Sequence, residues 1–167
     1  MYMTNKFWGL IKKYEFILLM LLILIMPLLI KLNGKVNFIY IILTSHYITL
    51  IINVCYFVIL YKKIQVINDL KYYLITRCGL KNAKRTIHLF ATVCTLIFSL
   101  ILYAFLLGIY GGENTTSLLI GLLIVNTILY LIEANFIFLQ FNRKSNVLFV
   151  VIPILINFIY HYIFFIY

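Results

Sequence analysis

An acidic side chain in the middle of an apolar run demands a chemical explanation, and Glu133 lies well inside the run 117–141. Facing lipid as an ion it would cost about 3 kcal/mol or more, so its place is against protein, water or a partner chain. Asn126, Tyr130 and Glu133 recur at helical spacing and share one face. Such a face bonds to a neighbouring helix, lines a path for substrate or protons, or lets Glu133 snorkel toward the inner surface, and interhelical bonding is the plainest of the three readings. A second polar group combines His46, flanked by Thr44, Ser45 and Thr49 and followed by Asn53, with Asn157, His161 and Tyr162 near the end of the chain. Two histidines without a third ligand make a poor zinc site, so a shared polar contact between helices is expected there and no metal.

Catalytic constellations are sparse. There is no H-E-x-x-H, no G-x-S-x-G and no pair of intramembrane aspartates, since Asp69 is the only Asp. Cys78 and His88 could in principle serve as nucleophile and base for peptide processing, but no orienting group accompanies them. A non-enzymatic role is the expectation. Cys55, Cys78 and Cys94 form no C-x-x-C pair and no metal-ligand pattern, so neither a disulfide nor a metal centre is expected.

The elements that must position these residues follow from composition. Hydrophobic residues make up 65% of the 167 and charged residues 11%, with a mean hydropathy of +1.10. A water-soluble domain of this size could not hide that much apolar surface in one core. Five runs approach or exceed the ~20 residues a helix needs to cross a bilayer, 14–32, 36–61, 87–110, 117–141 and 147–167. None alternates as the strands of a membrane barrel would. The expected fold is therefore all-α, a polytopic helical bundle of about five crossings in one transmembrane domain. Lys6, Lys12 and Lys13 ahead of the first run resemble a signal peptide's start, but no small-residue cleavage site follows, and an uncleaved first span is expected. Ahead of that span Met3, Phe7, Leu10, Ile11 and Tyr14 fall on one stripe. They predict an interfacial helix, the alternative being a frayed basic end.

The net charge of +10 is distributed for topology rather than for nucleic acid. Of the fourteen cations, only Lys31 and Lys35 lie in the segments read as outside. The N-terminus is thus expected in the cytoplasm and Tyr167 outside, with cationic connections against anionic lipid headgroups. The abundance of Ile, Asn, Lys, Tyr and Phe beside four alanines suggests an AT-rich coding sequence and a bacterial source.

The connection 62–86 is the longest polar segment, carrying seven cations against Asp69. Val66, Leu70, Tyr73 and Leu74 predict a short amphipathic helix, with Arg77 in its last turn and Gly79 ending it in a left-handed conformation. Such a helix lies on the inner leaflet or presses into a cytoplasmic protein.

Two stretches, Asn5-Lys6-Phe7-Trp8-Gly9-Leu10-Ile11-Lys12-Lys13 and Tyr72-Tyr73-Leu74-Ile75-Thr76-Arg77-Cys78-Gly79-Leu80-Lys81-Asn82-Ala83-Lys84-Arg85, together with the order of the spans, resemble the permease subunits of type-2 ATP-binding-cassette exporters. They are similar to that family's elbow helix and coupling segment, and the likeness covers most of the chain as architecture. It implies that Leu70, Tyr73, Leu74, Arg77, Gly79 and Lys81 meet a separate ATP-binding subunit, and that a second permease chain or a second copy completes the transporter. ATP would be bound by the partner, since no G-x-x-x-x-G-K-[ST] loop occurs here. Small permeases of this kind commonly serve export of, or immunity to, bacteriocins and other membrane-active peptides. Permeases of that family usually have six spans, so five would make this a reduced form. A stand-alone immunity, pore-forming or scaffold protein is the alternative from another class. Topology tags on Met1 and Tyr167 should report opposite compartments; the same compartment for both would exclude an odd number of crossings.

Overall fold

The computed structural model describes residues 13–32, 38–112 and 115–166. Within them are six helices and no strand: α1 Lys13–Leu32, α2 Phe38–Asp69, α3 Lys71–Cys78, α4 Leu80–Tyr110, α5 Thr116–Phe138 and α6 Leu148–Ile166. The protein is a helical membrane bundle. The interfacial helix expected ahead of residue 13 lies outside the described residues.

Hydrocarbon offers backbone amides no water, so helices are the only economical way for these uniformly apolar runs to satisfy themselves. Among the described residues, three helical segments are long and apolar enough to cross a membrane, His46–Asp69, Leu80–Tyr110 and Thr116–Phe138, and α6 adds the shorter apolar stretch Leu148–Ile163. Pro27 and Pro153 lie inside α1 and α6 rather than at their ends.

α2 is central and touches all five other helices, while α4 and α5 form the most extensive pair. Its inward stripe of Ile48, Ile52, Phe57 and Ile64 is fully buried. Tyr56 stacks on Phe98 of α4 with ring centroids 4.0 Å apart. The outer surface is apolar in turn, with Leu100, Ile124, Ile128 and Leu155 each more than half exposed. Polar side chains are buried among the apolar core while large aliphatic ones also cover the outside, which suits lipid and would aggregate in water.

Both helices flanking the connection 62–86 are longer than their apolar runs. α2 continues to Asp69 and α4 begins at Leu80, where the sequence reading ended one span at 61 and began the next at 87. At 1.5 Å per residue each is roughly 46–48 Å long, against ~30 Å of hydrocarbon. Their ends therefore project together at one end of the bundle. There Gln65 donates to Ser145 Oγ (2.6 Å), Asn68 donates to the Arg143 carbonyl (2.9 Å), and the Asn142 amide donates back to Asn68 Oδ1 (2.8 Å). These bonds gather the cations of the connection 62–86 with Arg143 and Lys144 into one basic layer. Lys63 is held by Glu15 of α1 at 2.5 Å in the same region.

The predicted amphipathic helix is corrected in extent. Val66 belongs to α2, and Leu70 sits at the junction between α2 and α3 with φ −89° and ψ 6°. Gly79 has the expected positive φ of 77°, but its ψ of 153° is extended rather than left-handed helical. That region of backbone space is nearly exclusive to glycine. A Cβ at Gly79 would meet no neighbouring atom, so the strain on substitution is purely conformational. Gly79→Ala should lower the unfolding free energy in detergent by about 1–3 kcal/mol. Gly108→Ala and Gly121→Ala, at helical positions with open space, should be neutral or stabilising by about 0.5–1 kcal/mol, and thermal unfolding of the three variants separates the cases.

Candidate functional site

The face built by Asn126, Tyr130 and Glu133 is the most buried surface of α5, with no residue of the three more than 1% exposed. Each reaches a different helix. Asn126 Nδ2 donates to the Tyr103 hydroxyl of α4. The Tyr130 hydroxyl accepts from Asn53 Nδ2 of α2 at 2.6 Å. Both Glu133 oxygens face Asn157 Nδ2 of α6, at 3.4 and 3.3 Å. The Tyr130 ring is set by Phe57 and Phe98, each with a centroid 6.1 Å away, and its hydroxyl interacts with that of Tyr103.

His46 Nδ1 lies 2.8 Å from His161 Nδ1, with the rings edge to face. The sequence grouped His46, Asn157 and His161 as a cluster of their own. In the structure Asn157 bonds to Glu133 instead, and because Asn157 and His161 are one turn apart on α6 the two groups merge into one continuous polar seam. Among the described residues no group of three or more His, Cys, Asp or Glu could hold a metal ion.

Thr95, Ser99 and Tyr103 contribute to the seam from α4 and were missed. Thr95 bonds to Tyr56 at 2.8 Å, Ser99 to Thr127, and Tyr103 to Asn126. Their spacing of four residues was a readable signal, masked because hydroxyls carry little weight in an apolar run. Together the buried groups draw α2, α4, α5 and α6 into one hydrogen-bonded unit.

The sequence pair Cys78 and His88 is not brought together. His88 Nε2 bonds to Asn135 Oδ1 at 2.6 Å and its ring packs on Phe138. Cys78 lies beyond the start of α4, and the eight residues from Leu80 to His88 alone rise roughly 12 Å.

At the basic end, α3 packs one side against α2 and α4 and shows the other to solvent. Leu74 is buried on the packed side, which removes it from any partner surface, contrary to the sequence reading. Leu70, Tyr72 and Tyr73 are exposed. Arg77 stacks over the Tyr73 ring at 4.2 Å and Lys71 over Tyr72 at 5.2 Å, while Gly79 and Lys81 continue the exposed rim. An ordered cation and aromatic pair of this kind presents a shaped surface rather than a diffuse charge. Between α1, α2 and α4 a crevice of about 120 Å³ is lined mostly by apolar side chains, among them Leu19, Ile59, Phe90 and Ile97, with Glu15 and Lys63 also in its wall.

No family model, curated protein or solved structure matches the chain.

The bond between Asn53 and Tyr130 should be measurable. In a double-mutant cycle of Asn53→Ala and Tyr130→Phe, the coupling free energy should be about 0.6 kcal/mol and at most about 1.7 kcal/mol, the range of interhelical bonds in membranes. Additivity within error would show that the two side chains do not bond.

Proposed function

We propose that the chain is the membrane-embedded permease subunit of a multi-chain ATP-driven transporter, one that exports or gives immunity to a membrane-active peptide. The observation that carries this reading is α3, an eight-residue helix held beyond the hydrocarbon at the tips of two overlong helices, with Tyr72, Tyr73, Arg77 and Lys81 exposed in a basic layer. A short helix on two rigid levers is a suitable way to pass force from a soluble motor to a membrane bundle. The chain itself carries no phosphate-binding loop, so the motor is a separate ATP-binding subunit.

In this reading the basic layer faces the cytoplasm, following the preference of cationic connections for that side, and the five long helices cross the bilayer. Tyr167 then lies outside. The cell membrane is bacterial, and a second permease chain or a second copy completes the translocation path. A pore formed by this chain alone finds less support, because the interior at the basic end is closed by the buried side chains of Ile64, Ile137 and Phe141.

Purification in mild detergent from the native host tests the proposal. An ATP-binding protein should co-purify, and Arg77→Glu combined with Lys81→Glu should weaken that association at least roughly tenfold, as expected when charge-assisted contacts are lost. Membrane insertion should be unchanged. Isolation without any ATP-binding protein would favour a stand-alone immunity or scaffold role.

A further inference from the structure

The polar seam contains more hydrogen-bonding capacity than the side chains consume. Asn53 Oδ1, Asn126 Oδ1, Asn157 Oδ1 and His161 Nε2 are buried acceptors or donors with no partner among the protein atoms. The four residues are at most 3% exposed. Buried polar atoms of this kind are ordinarily served by internal water, and here they recur along a single column. On α6 the column steps from Asn157 to His161, a rise of roughly 6 Å, and on α5 from Glu133 through Tyr130 to Asn126, a rise of roughly 10 Å.

The histidine pair adds a directional element. A contact between two Nδ1 atoms at 2.8 Å requires one ring to carry the Nδ1 hydrogen and the other to accept it. With both rings neutral, the donor ring has a bare Nε2 and the acceptor ring an Nε2–H. A proton arriving at the bare Nε2 forms one N–H bond. The Nδ1 hydrogen then crosses to the second ring, whose Nε2–H breaks and releases a proton on the other side. One proton enters, one leaves, and no redox partner is needed.

The placement of the groups makes this one-sided. His46 lies 22 residues from Asn68 along α2, roughly 33 Å from the basic layer and so near the far membrane surface. Glu133 is about five residues, roughly 8 Å, from the basic end of α5. Between Glu133 and that end the interior is closed by Ile64, Ile137 and Phe141, none more than 4% exposed. The titratable groups facing the column are Tyr130 on α5, Tyr103 on α4, and Tyr160 on α6, whose ring lies 5.1 Å from that of His161.

We infer that the seam is a proton relay, in which the His46–His161 pair and internal water exchange protons between the Glu133 carboxyl, positioned by the Asn157 amide, and the membrane face remote from the basic layer. The inference does not depend on an ATP-binding partner. It adds a proton-coupled step to a bundle whose sequence shows a single acidic residue deep in the membrane.

Infrared difference spectroscopy of the full chain in phospholipid nanodiscs, following an acid jump, tests the relay. A carboxyl band absent in Glu133→Gln should grow after the jump. His161→Gln, which keeps a hydrogen-bonding side chain but cannot shuttle, should slow that growth by about a hundredfold while leaving the titration midpoint in place. A rate unchanged in both His161→Gln and His46→Gln, or no carboxyl band assignable to Glu133, would overturn the relay. If the histidine variants fail to assemble, the unaltered chain is reconstituted in orientation-sorted liposomes with different pH on each side. Labelling of Glu133 by dicyclohexylcarbodiimide should follow the pH on the side remote from Arg143; dependence on the Arg143 side would refute the inference.

Discussion

A polar atom surrounded by hydrocarbon has no water to turn to, so the amides, hydroxyls and carboxyl within the spans are driven to find one another across helices. This constraint organises the bundle. Hydrophobic packing does not distinguish one helix orientation from another when lipid tails are as apolar as the core. The bonds of Asn126 to Tyr103, Tyr130 to Asn53, Glu133 to Asn157 and His46 to His161 do distinguish them. Rotating α5 by a quarter turn would break three of these four bonds and place Glu133 against lipid. The seam therefore selects a single register for four helices, although each bond contributes only about 0.6 kcal/mol on average.

The second organising feature is length. α2 and α4 are too long for the hydrocarbon they cross, and the excess appears at the same end of both. The hairpin 142–145 is drawn to that end by Asn68 and Gln65, which places Arg143 and Lys144 beside the other cations. Asn142 turns there with φ 64°, a conformation that Asn tolerates better than most side chains. The basic layer is thus a product of tertiary bonds as well as of loop composition.

Much of this was legible in the sequence, and the exceptions have physical causes. The all-helical membrane architecture follows from long apolar runs without alternation, and the positions of Asn126, Tyr130 and Glu133 on one face follow from their spacing. The partners on the facing helices did not, because a seam is a property of helix order and rotation that no single segment encodes. Asn157 was grouped with His46 for that reason, when its amide in fact meets Glu133. The helices run on past the span limits at 61 and 87 because hydropathy reports where lipid ends, whereas backbone hydrogen bonding carries α2 on to Asp69 and starts α4 at Leu80, beside the turn at Gly79. Leu74 was assigned to a partner surface through the resemblance to a coupling segment, and burial against the bundle takes up that side of α3.

The two features meet in α2 and α4. These helices carry His46 and Asn53, and Thr95, Ser99 and Tyr103, into the seam, and the same helices hold α3 between their projecting ends. α3 is therefore joined at both ends to helices whose buried hydrogen bonds define the seam. The two connections differ in kind. At Leu70 the chain passes from α2 into α3 with near-helical angles, and the Leu74 amide still bonds back to Leu70, which makes a stiff corner. At Gly79 the chain adopts a glycine-only conformation with no side chain to pack against. Both connections nevertheless keep helical backbone bonding across the turn, from the Leu74 amide to Leu70 and from the Ala83 amide to Gly79, and α3 packs more extensively on α4 than on α2, so it is seated on both helices that carry the seam rather than hung from one of them.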